Sequence, residues 1–157
     1  MNYMQGVIGE TFYYSFVIHR SRKAREWFEN IQTSSGIDDT LITLARSGIK
    51  VRGILDGSQG NQRWAPTKDI KEAGAKMYLF PHKAGLNKLH HKLVVIDSEV
   101  LVVGSFNFTR QANRLNDENI LIIGDLDDDK ARSKQMQLGS YTLDEINRMI
   151  KEDGKPV

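Results

Sequence analysis

Two short apolar segments separated by three polar residues constrain the fold of this chain most strongly. Residues 89–96 and 100–103 are rich in valine, leucine and isoleucine, and the polar residues 97–99 lie between them. Aliphatic and β-branched residues favour strands, and so short a connection makes the chain reverse direction at once. The sequence therefore predicts a β-hairpin over residues 89–103.

Strands and helices alternate along the rest of the chain. Strands are predicted at residues 11–18, 49–55, 76–80 and 120–123, and helices at residues 22–32, 37–47, 69–73 and 142–151. The last helix is predicted to begin at Thr142, with Glu145 at the capping-box position. Residues 56–61 are interpreted as a turn-rich loop, and residues 154–157 as a frayed tail. Helices between strands predict an α/β fold, with a mixed β-sheet flanked by helices on both faces.

Length and composition exclude several classes of protein. The 157 residues suit a single domain, 1–157, that ends in a C-terminal helix and tail over residues 142–157. The absence of cysteine excludes disulfides, a thiolate nucleophile and cysteine-containing zinc sites. The apolar runs are far shorter than a membrane span, and residues 1–18 lack the pattern of a signal peptide. We therefore expect a cytoplasmic protein with no stable membrane association.

The charged residues are unevenly distributed, although the formal net charge is only +2. Residues 57–96 contain seven Lys or Arg against two acids, whereas residues 97–129 contain eight acids against two Arg. Residues 20–25 add four basic residues and no acid. This asymmetry indicates an anionic partner on one face, although a single block of charge taken alone more often does no more than solvate the surface.

The residues able to support chemistry are concentrated in and just after the predicted hairpin. Their order is His90-x-Lys92, four residues, Asp97, six residues, then Gly104-Ser105-x-Asn107. Alternate residues of a strand share a face, so His90 and Lys92 are predicted to lie side by side. The hairpin would return Ser105 and Asn107 to the start of the first strand, at one rim of the sheet.

This set of side chains suits a reaction at a phosphate. Lys92 supplies a fixed positive charge, while Asn107 and Ser105 can donate hydrogen bonds to phosphate oxygens. His90 can attack phosphorus or carry a proton near neutral pH. No acidic triad or histidine pair with metal-ligand spacing accompanies these residues. We therefore predict chemistry without a metal or other cofactor, with Lys92 in the role of the cation.

The same stretch resembles the phospholipase D superfamily, whose signature is H-x-K-x4-D-x6-G-S-x-N. Every specified position of that signature is matched. Two segments, GSFNFT at residues 104–109 and NDEN at residues 116–119, are most similar to small bacterial nucleases of this superfamily that carry one motif per chain. The resemblance covers roughly residues 37–123. Residues 19–35 look like an insertion relative to those nucleases, and residues 130–157 are unmatched.

The resemblance implies a role for each matched residue. His90 would be the nucleophile and would form a phosphohistidine. Lys92 and Asn107 would hold the phosphate, with Ser105 beside them.

Two acidic residues, one before the predicted strand at residues 120–123 and one in the motif, are given different roles. By the same resemblance, Glu118 lies at the place of an acidic residue that in those nucleases holds the nucleophilic histidine by its other ring nitrogen, which fixes the tautomer and stabilises the imidazolium. Asp97, despite its place in the motif, is interpreted as a structural hydrogen-bonding residue of the hairpin.

A single histidine cannot complete the reaction, for a geometric reason. In-line displacement places the nucleophile and the leaving group on opposite sides of phosphorus, and one imidazole cannot serve both. We therefore predict a two-fold homodimer whose active site lies at the interface, with His90 of each chain facing the other. The alternative is that this chain is the C-terminal half of a longer protein with two motifs.

These features predict a metal-independent nuclease that hydrolyses phosphodiester bonds in DNA or RNA. The basic blocks favour a polyanion held mainly through its backbone phosphates. One alternative is a lipid phosphodiesterase of the phospholipase D type, which ranks lower because no amphipathic membrane-surface helix is evident. Another is a nucleic-acid-binding module without catalytic activity.

Overall fold

The chain forms one mixed β-sheet of seven strands. A computed structural model describes residues 37–82, 88–105, 119–124 and 130–157, together with the backbone of residues 14–19. The strands are β1 (Tyr14–His19), β2 (Lys50–Asp56), β3 (Lys76–Phe80), β4 (Lys92–Ile96), β5 (Val100–Gly104), β6 (Ile120–Ile123) and β7 (Lys155–Pro156). Their order in the sheet is β6-β5-β4-β1-β2-β3-β7.

Four helices accompany the sheet in the described ranges. They are α1 (Ile37–Arg46), α2 (Gly57–Gly60), α3 (Thr67–Glu72) and α4 (Arg132–Glu152). In α1, Leu41 and Leu44 bury one face, and an acidic first turn and a basic last turn complement the helix dipole. No helix in these ranges combines the length and the apolar character needed to cross a bilayer. The predicted helix over residues 22–32 lies outside the described residues.

The helices cover both faces of the sheet. Val51 and Leu55 of β2 belong to a core shared with α1 and α3, whereas Ile54 belongs to a second core shared with α4. Along β4, Val94 joins the first core and Val95 the second, as the two-residue period of a strand requires. The predicted α/β fold, a mixed sheet with helices on both faces, is confirmed.

Strand directions decide which residues meet at each end of the sheet. β1 runs parallel to β4 and antiparallel to β2, so β2 ends where β4 begins. β5 is antiparallel to both β4 and β6. The end of β5 and the start of β6 therefore lie at the end of the sheet where β4 begins. We call this the Asp56 end of the sheet, after the last residue of β2.

The long helix α4 differs from its prediction. It spans 21 residues from Arg132 to Glu152, so the predicted start at Thr142 is wrong. The Thr142 hydroxyl donates to a carbonyl one turn earlier at 3.2 Å, inside the helix. Glu145 forms an ion pair with Arg148 at 2.7 Å and makes no capping box.

Packing at Gly139 explains the extra turns of α4. Gly139 is buried, and a Cβ atom built there would lie 2.1 Å from the carbonyl oxygen of Ser98 in the β4–β5 turn. Glycine weakens a helix that stands alone, but here the missing side chain lets α4 pack directly against the hairpin. The contact lies about forty residues away along the chain, beyond the reach of a local helix signal.

Two smaller predictions are also corrected. Within the predicted loop over residues 56–61, residues 57–60 form the single-turn helix α2, because the Asp56 carboxylate accepts hydrogen bonds from its first backbone N–H groups. The predicted frayed tail is ordered by pairing, since β7 is antiparallel to β3 and the Val157 N–H donates to the Met77 carbonyl at 3.1 Å.

Candidate active site

Polar residues collect at the Asp56 end of the sheet. Of the six residues predicted for the site, four lie within the described ranges, namely His90, Lys92, Asp97 and Ser105. The structure brings His90, Lys92 and Ser105 to this end and places Asp97 at the opposite end. Asn107 and Glu118 lie outside the described residues. Within the described ranges, no three His, Asp or Glu side chains are grouped so that they could hold a metal ion.

His90 lies just before β4, and Lys92 is its first residue. The predicted strand start at Leu89 is wrong, so alternation along a strand does not by itself align the two side chains. Leu89 instead donates its N–H to the Asp56 carboxylate at 3.1 Å and buries its side chain in the core beneath α4. His90 is exposed and Lys92 is half-buried, so the imidazole is accessible to solvent at the end of the sheet where β4 begins.

The predicted hairpin is confirmed, and it returns Ser105 to the start of β4. Leu93 pairs with Val103, so Ser105 lies two residues further on, at the end where β4 begins. Ser105 donates its N–H to the Asn119 side-chain oxygen, and its hydroxyl accepts the Asn119 N–H, both at 3.1 Å. A Cβ atom at Gly104 would lie 2.1 Å from the Asn119 carbonyl oxygen. The glycine of the motif therefore permits the close approach of β5 and β6.

Asn119 is a site residue that the sequence reasoning did not single out. Its reciprocal hydrogen bonds with Ser105 join the end of β5 to the start of β6. It directly follows Glu118 in the sequence, within the NDEN segment. The sequence indicates that segment only through the family resemblance, because no local pattern points to a partner fourteen residues away.

Asp97 lies in the turn that joins β4 and β5. Asp97 and Ser98 have φ angles of 53° and 61°, and the Glu99 N–H donates to the Ile96 carbonyl at 3.0 Å. Two successive residues with positive φ are typical of the tight turns that join antiparallel strands, and Asp tolerates this conformation better than most residues. At roughly 3.3 Å per residue, β4 separates Asp97 from Lys92 by about 16 Å. Asp97 is therefore too distant to contact a phosphate bound at Lys92.

The surroundings of His90 favour its neutral form. Although His90 is exposed overall, the part of its ring that is shielded from water lowers its pKa below the ordinary value of 6.5, and the positive charges of Lys92 and Lys88 lower it further. A neutral imidazole has a lone pair available for attack, and a protonated one has none. Burial and the nearby lysines thus favour the neutral imidazole of His90.

Replacing Lys88 by alanine is expected to raise the pKa of His90. Lys88 is exposed, and its charge disfavours protonation of the imidazole. The midpoint of His90, measured by NMR titration, should move to higher pH, and the shift should shrink as salt screens the charge. Lys134→Ala, a change of the same kind on exposed α4, serves as the control. A midpoint that stays in place or falls in Lys88→Ala would show that this charge does not act on His90.

Asp56 is a second site residue that the sequence reasoning missed. It is fully buried at the end of β2. Burial by itself would raise the pKa of Asp56, but hydrogen bonds from Ser58, Leu89 and Gln59 outweigh it and lower the pKa. The carboxylate is therefore ionised at neutral pH. The only sequence signal was an Asp followed by a Gly-Ser-Gln turn, which is compatible with many surface loops.

Comparison with solved structures identifies the fold. The fold matches a phospholipase D family member, Nuc from Salmonella typhimurium, with a TM-score of 0.64 and 18% identity over 94% of this chain and 97% of that one. It also matches NucT from Helicobacter pylori, with a TM-score of 0.58 and 20% identity over 91% and 82% of the two chains. The fold is thus that of the phospholipase D-like proteins.

The chain belongs to the phospholipase D-like family, because residues 19–137 match the family described as "Cardiolipin synthase, PLD-like domain". A mitochondrial cardiolipin hydrolase of Chlamydomonas reinhardtii is 33% identical over 93 residues, which are 59% of this chain and 40% of that protein. A phospholipase D of Rickettsia prowazekii is 30% identical over 119 residues, 70% of this chain and 54% of that protein. The chain spans about half the length of these curated relatives. The enzyme class that the family and these names support is phosphodiesterase hydrolase.

Proposed function

We propose that this chain is a metal-independent phosphodiesterase that cleaves nucleic acid through a phosphohistidine formed on His90. The observation that supports this most directly is the hairpin register, which brings Ser105 to the strand end where His90 and Lys92 lie. The lowered pKa of His90 adds a nucleophile that is neutral at physiological pH. Membership of the phospholipase D-like family supports the reaction type.

In the first step, a ring nitrogen of His90 attacks phosphorus while the bond from phosphorus to the leaving oxygen breaks. Lys92, Ser105 and Asn107 stabilise the negative charge that grows on the phosphate oxygens. The leaving oxygen takes a proton from a second, protonated imidazole on the far side of phosphorus. The product of this step is a phosphohistidine on His90 and a released alcohol.

In the second step, the second imidazole takes a proton from water, and the resulting hydroxide attacks phosphorus. The bond between phosphorus and His90 breaks, which releases a phosphomonoester and restores the neutral imidazole. Glu118 is assigned to hold His90 by its other ring nitrogen in both steps, and its negative charge would stabilise the protonated form that the second imidazole needs. The second imidazole finishes the cycle protonated, as it began.

We assign the second imidazole to His90 of the partner subunit in a two-fold dimer. The motif occurs once in the chain, and one imidazole cannot reach both sides of phosphorus. The exposed apolar strand β6 supports this assembly, because it begins beside Ser105 and leaves Ile120, Leu121 and Ile122 at 39%, 57% and 39% exposure. Within the described part of the chain, β6 lies at the end of the sheet, where a second copy can cover it.

Replacing Leu121 by glutamate is expected to convert the dimer to a monomer and to abolish activity. A buried charge without a partner opposes association, and a monomer lacks the second imidazole. Sedimentation velocity and phosphodiesterase assays measure the two effects on the same preparation. Leu138→Glu places the same charge on exposed α4 and should leave both unchanged. A Leu121→Glu monomer with full activity would refute the shared site.

Nucleic acid is the proposed substrate because the imidazole is surrounded by positive charge. Lys92 and Lys88 both lower the pKa of His90, so each contributes positive potential at the site. A polyanion gains from several such charges at once, whatever its base sequence. A lipid phosphodiester is the second candidate, since the relatives in Chlamydomonas and Rickettsia are named as a cardiolipin hydrolase and a phospholipase D.

A substrate panel in EDTA tests the proposal directly. Wild-type protein and His90→Ala would be incubated with plasmid DNA, single-stranded DNA, RNA and cardiolipin-containing liposomes. We expect wild type to cleave at least one nucleic acid in the presence of EDTA. Cleavage of liposomes alone would favour the lipid enzyme. Salt-sensitive DNA binding that is unaffected by His90→Ala, with no cleavage of any substrate, would favour a binding module.

A further inference from the structure

The carboxylate of Asp56 connects two parts of the chain that are far apart in sequence. One oxygen, Oδ1, accepts the N–H groups of Ser58 at 3.0 Å and Gln59 at 3.3 Å, and also the Ser58 hydroxyl. The other oxygen, Oδ2, accepts the N–H of Leu89 at 3.1 Å. The carboxylate thus caps α2 with one oxygen and holds the chain before β4 with the other.

Leu89 is the residue immediately before His90, and it is held in two ways. Its side chain is only 4% exposed and packs in the core with Ile54, Phe80 and Ile146. Its N–H is bound by the fully buried Asp56 carboxylate. Because both contacts lie one residue from His90, they restrict where the imidazole can be placed.

The same carboxylate also lies near the start of the connection that leads to Leu89. His82 follows β3, and its Nε2 atom lies 3.7 Å from Asp56 Oδ1. Leu89 lies at the other end of that connection, just before β4. Asp56 is therefore beside both ends of the chain segment that carries His90 into the sheet.

We propose that Asp56 is a positioning residue for His90. The proposal rests on the function proposed above, because positioning matters only if His90 is the nucleophile. An in-line attack depends on the placement of the reacting atom to about 1 Å, so a loosened backbone at Leu89 lowers the rate of the chemical step. Substrate binding through Lys92 and Ser105 does not depend on this contact.

Two variants of Asp56 test the proposal. Asp56→Asn keeps the shape of the side chain but turns an NH₂ group toward one of the two sets of N–H donors. Asp56→Glu keeps the charge but displaces it by one methylene. This variant provides the test if Asp56→Asn does not fold. In both we expect kcat on bis(p-nitrophenyl) phosphate to fall about 10- to 100-fold with little change in KM. The Leu89 amide should also exchange its hydrogen faster than in wild type.

Thr67→Val is the matched control for general loss of stability. Thr67 is buried, and its hydroxyl donates to the Gly60 carbonyl at 2.7 Å, a contact that does not involve Leu89 or His90. Rates should be compared per folded molecule at a temperature where all variants are folded. The control should retain the wild-type kcat and the wild-type protection of Leu89.

The two readouts separate the failure of this proposal from the failure of the proposed function. An equal loss of kcat in Thr67→Val and the Asp56 variants would overturn the positioning role, as would unchanged exchange at Leu89. If wild type hydrolyses no phosphodiester, the proposed function fails. Amide exchange at Leu89 then decides by itself whether Asp56 holds the segment before His90.

Discussion

Replacing His90 by alanine is expected to lower kcat by about 10⁴-fold or more, as removal of a covalent nucleophile does in other enzymes. The change removes the ring nitrogen that attacks phosphorus and, in a dimer, the proton donor for the other chain's reaction. Because no covalent intermediate can form, the usual two-step route is lost. The measurement is initial rates of phosphodiester cleavage in EDTA, with circular dichroism to show that the variant is folded.

The neighbouring histidine provides the control for this experiment. His91→Ala removes an exposed imidazole one residue away, and we expect its rate to stay within a few-fold of wild type. A small change is expected because the electrostatic interaction of His91 with His90 makes the smallest of the contributions to the lowered pKa of His90. If His90→Ala keeps a tenth or more of the wild-type rate, or if EDTA abolishes the wild-type activity, the mechanism is wrong.

Replacing Gly139 by alanine is expected to destabilise the protein by about 2 kcal/mol, although alanine ordinarily stabilises a helix by about 1 kcal/mol relative to glycine. The new Cβ atom would lie 2.1 Å from the Ser98 carbonyl oxygen and 2.5 Å from the Ser98 carbonyl carbon. Both atoms are backbone in a tight turn with positive φ, so they cannot move aside as a side chain would. Helix α4 must shift away from the hairpin, which weakens the core beneath it.

Urea denaturation of Gly139→Ala and Ser140→Ala measures this effect. Ser140 is exposed on the same turn of α4, so its replacement tests helix propensity without the clash. We expect Ser140→Ala to be neutral or slightly stabilising and Gly139→Ala to unfold at clearly lower urea concentration. A Gly139→Ala protein as stable as wild type would mean that α4 does not press against the Ser98 turn.

The residues of the candidate site divide into those that local sequence predicts and those that it cannot. His90, Lys92 and Ser105 belong to one continuous motif, and the hairpin that brings them together needs only a short polar connection between apolar strands. Asp56 is different, because its partner Leu89 is 33 residues away. A single Asp after a strand has many possible roles, and only the assembled sheet shows which N–H it meets.

The helices show the same division. α1 was predicted closely because its buried leucines and its charged ends are periodic and local. The first ten residues of α4 were missed because Gly139 and Ser140 weaken a helix on their own. Gly139 instead packs against the β4–β5 turn, a tertiary interaction that no local pattern indicates.

The amino-acid sequence alone determined the class of fold, the hairpin and the set of side chains suited to a phosphate, since alternation, turn chemistry and motif spacing act over a few residues. The tertiary structure alone decided that β2 ends where β4 begins, that Asp56 holds the chain before His90, and that Asn119 joins β6 to Ser105. These contacts arise because burying both faces of one sheet brings distant segments together. Each buried polar group then takes the partner that the strand order places within reach.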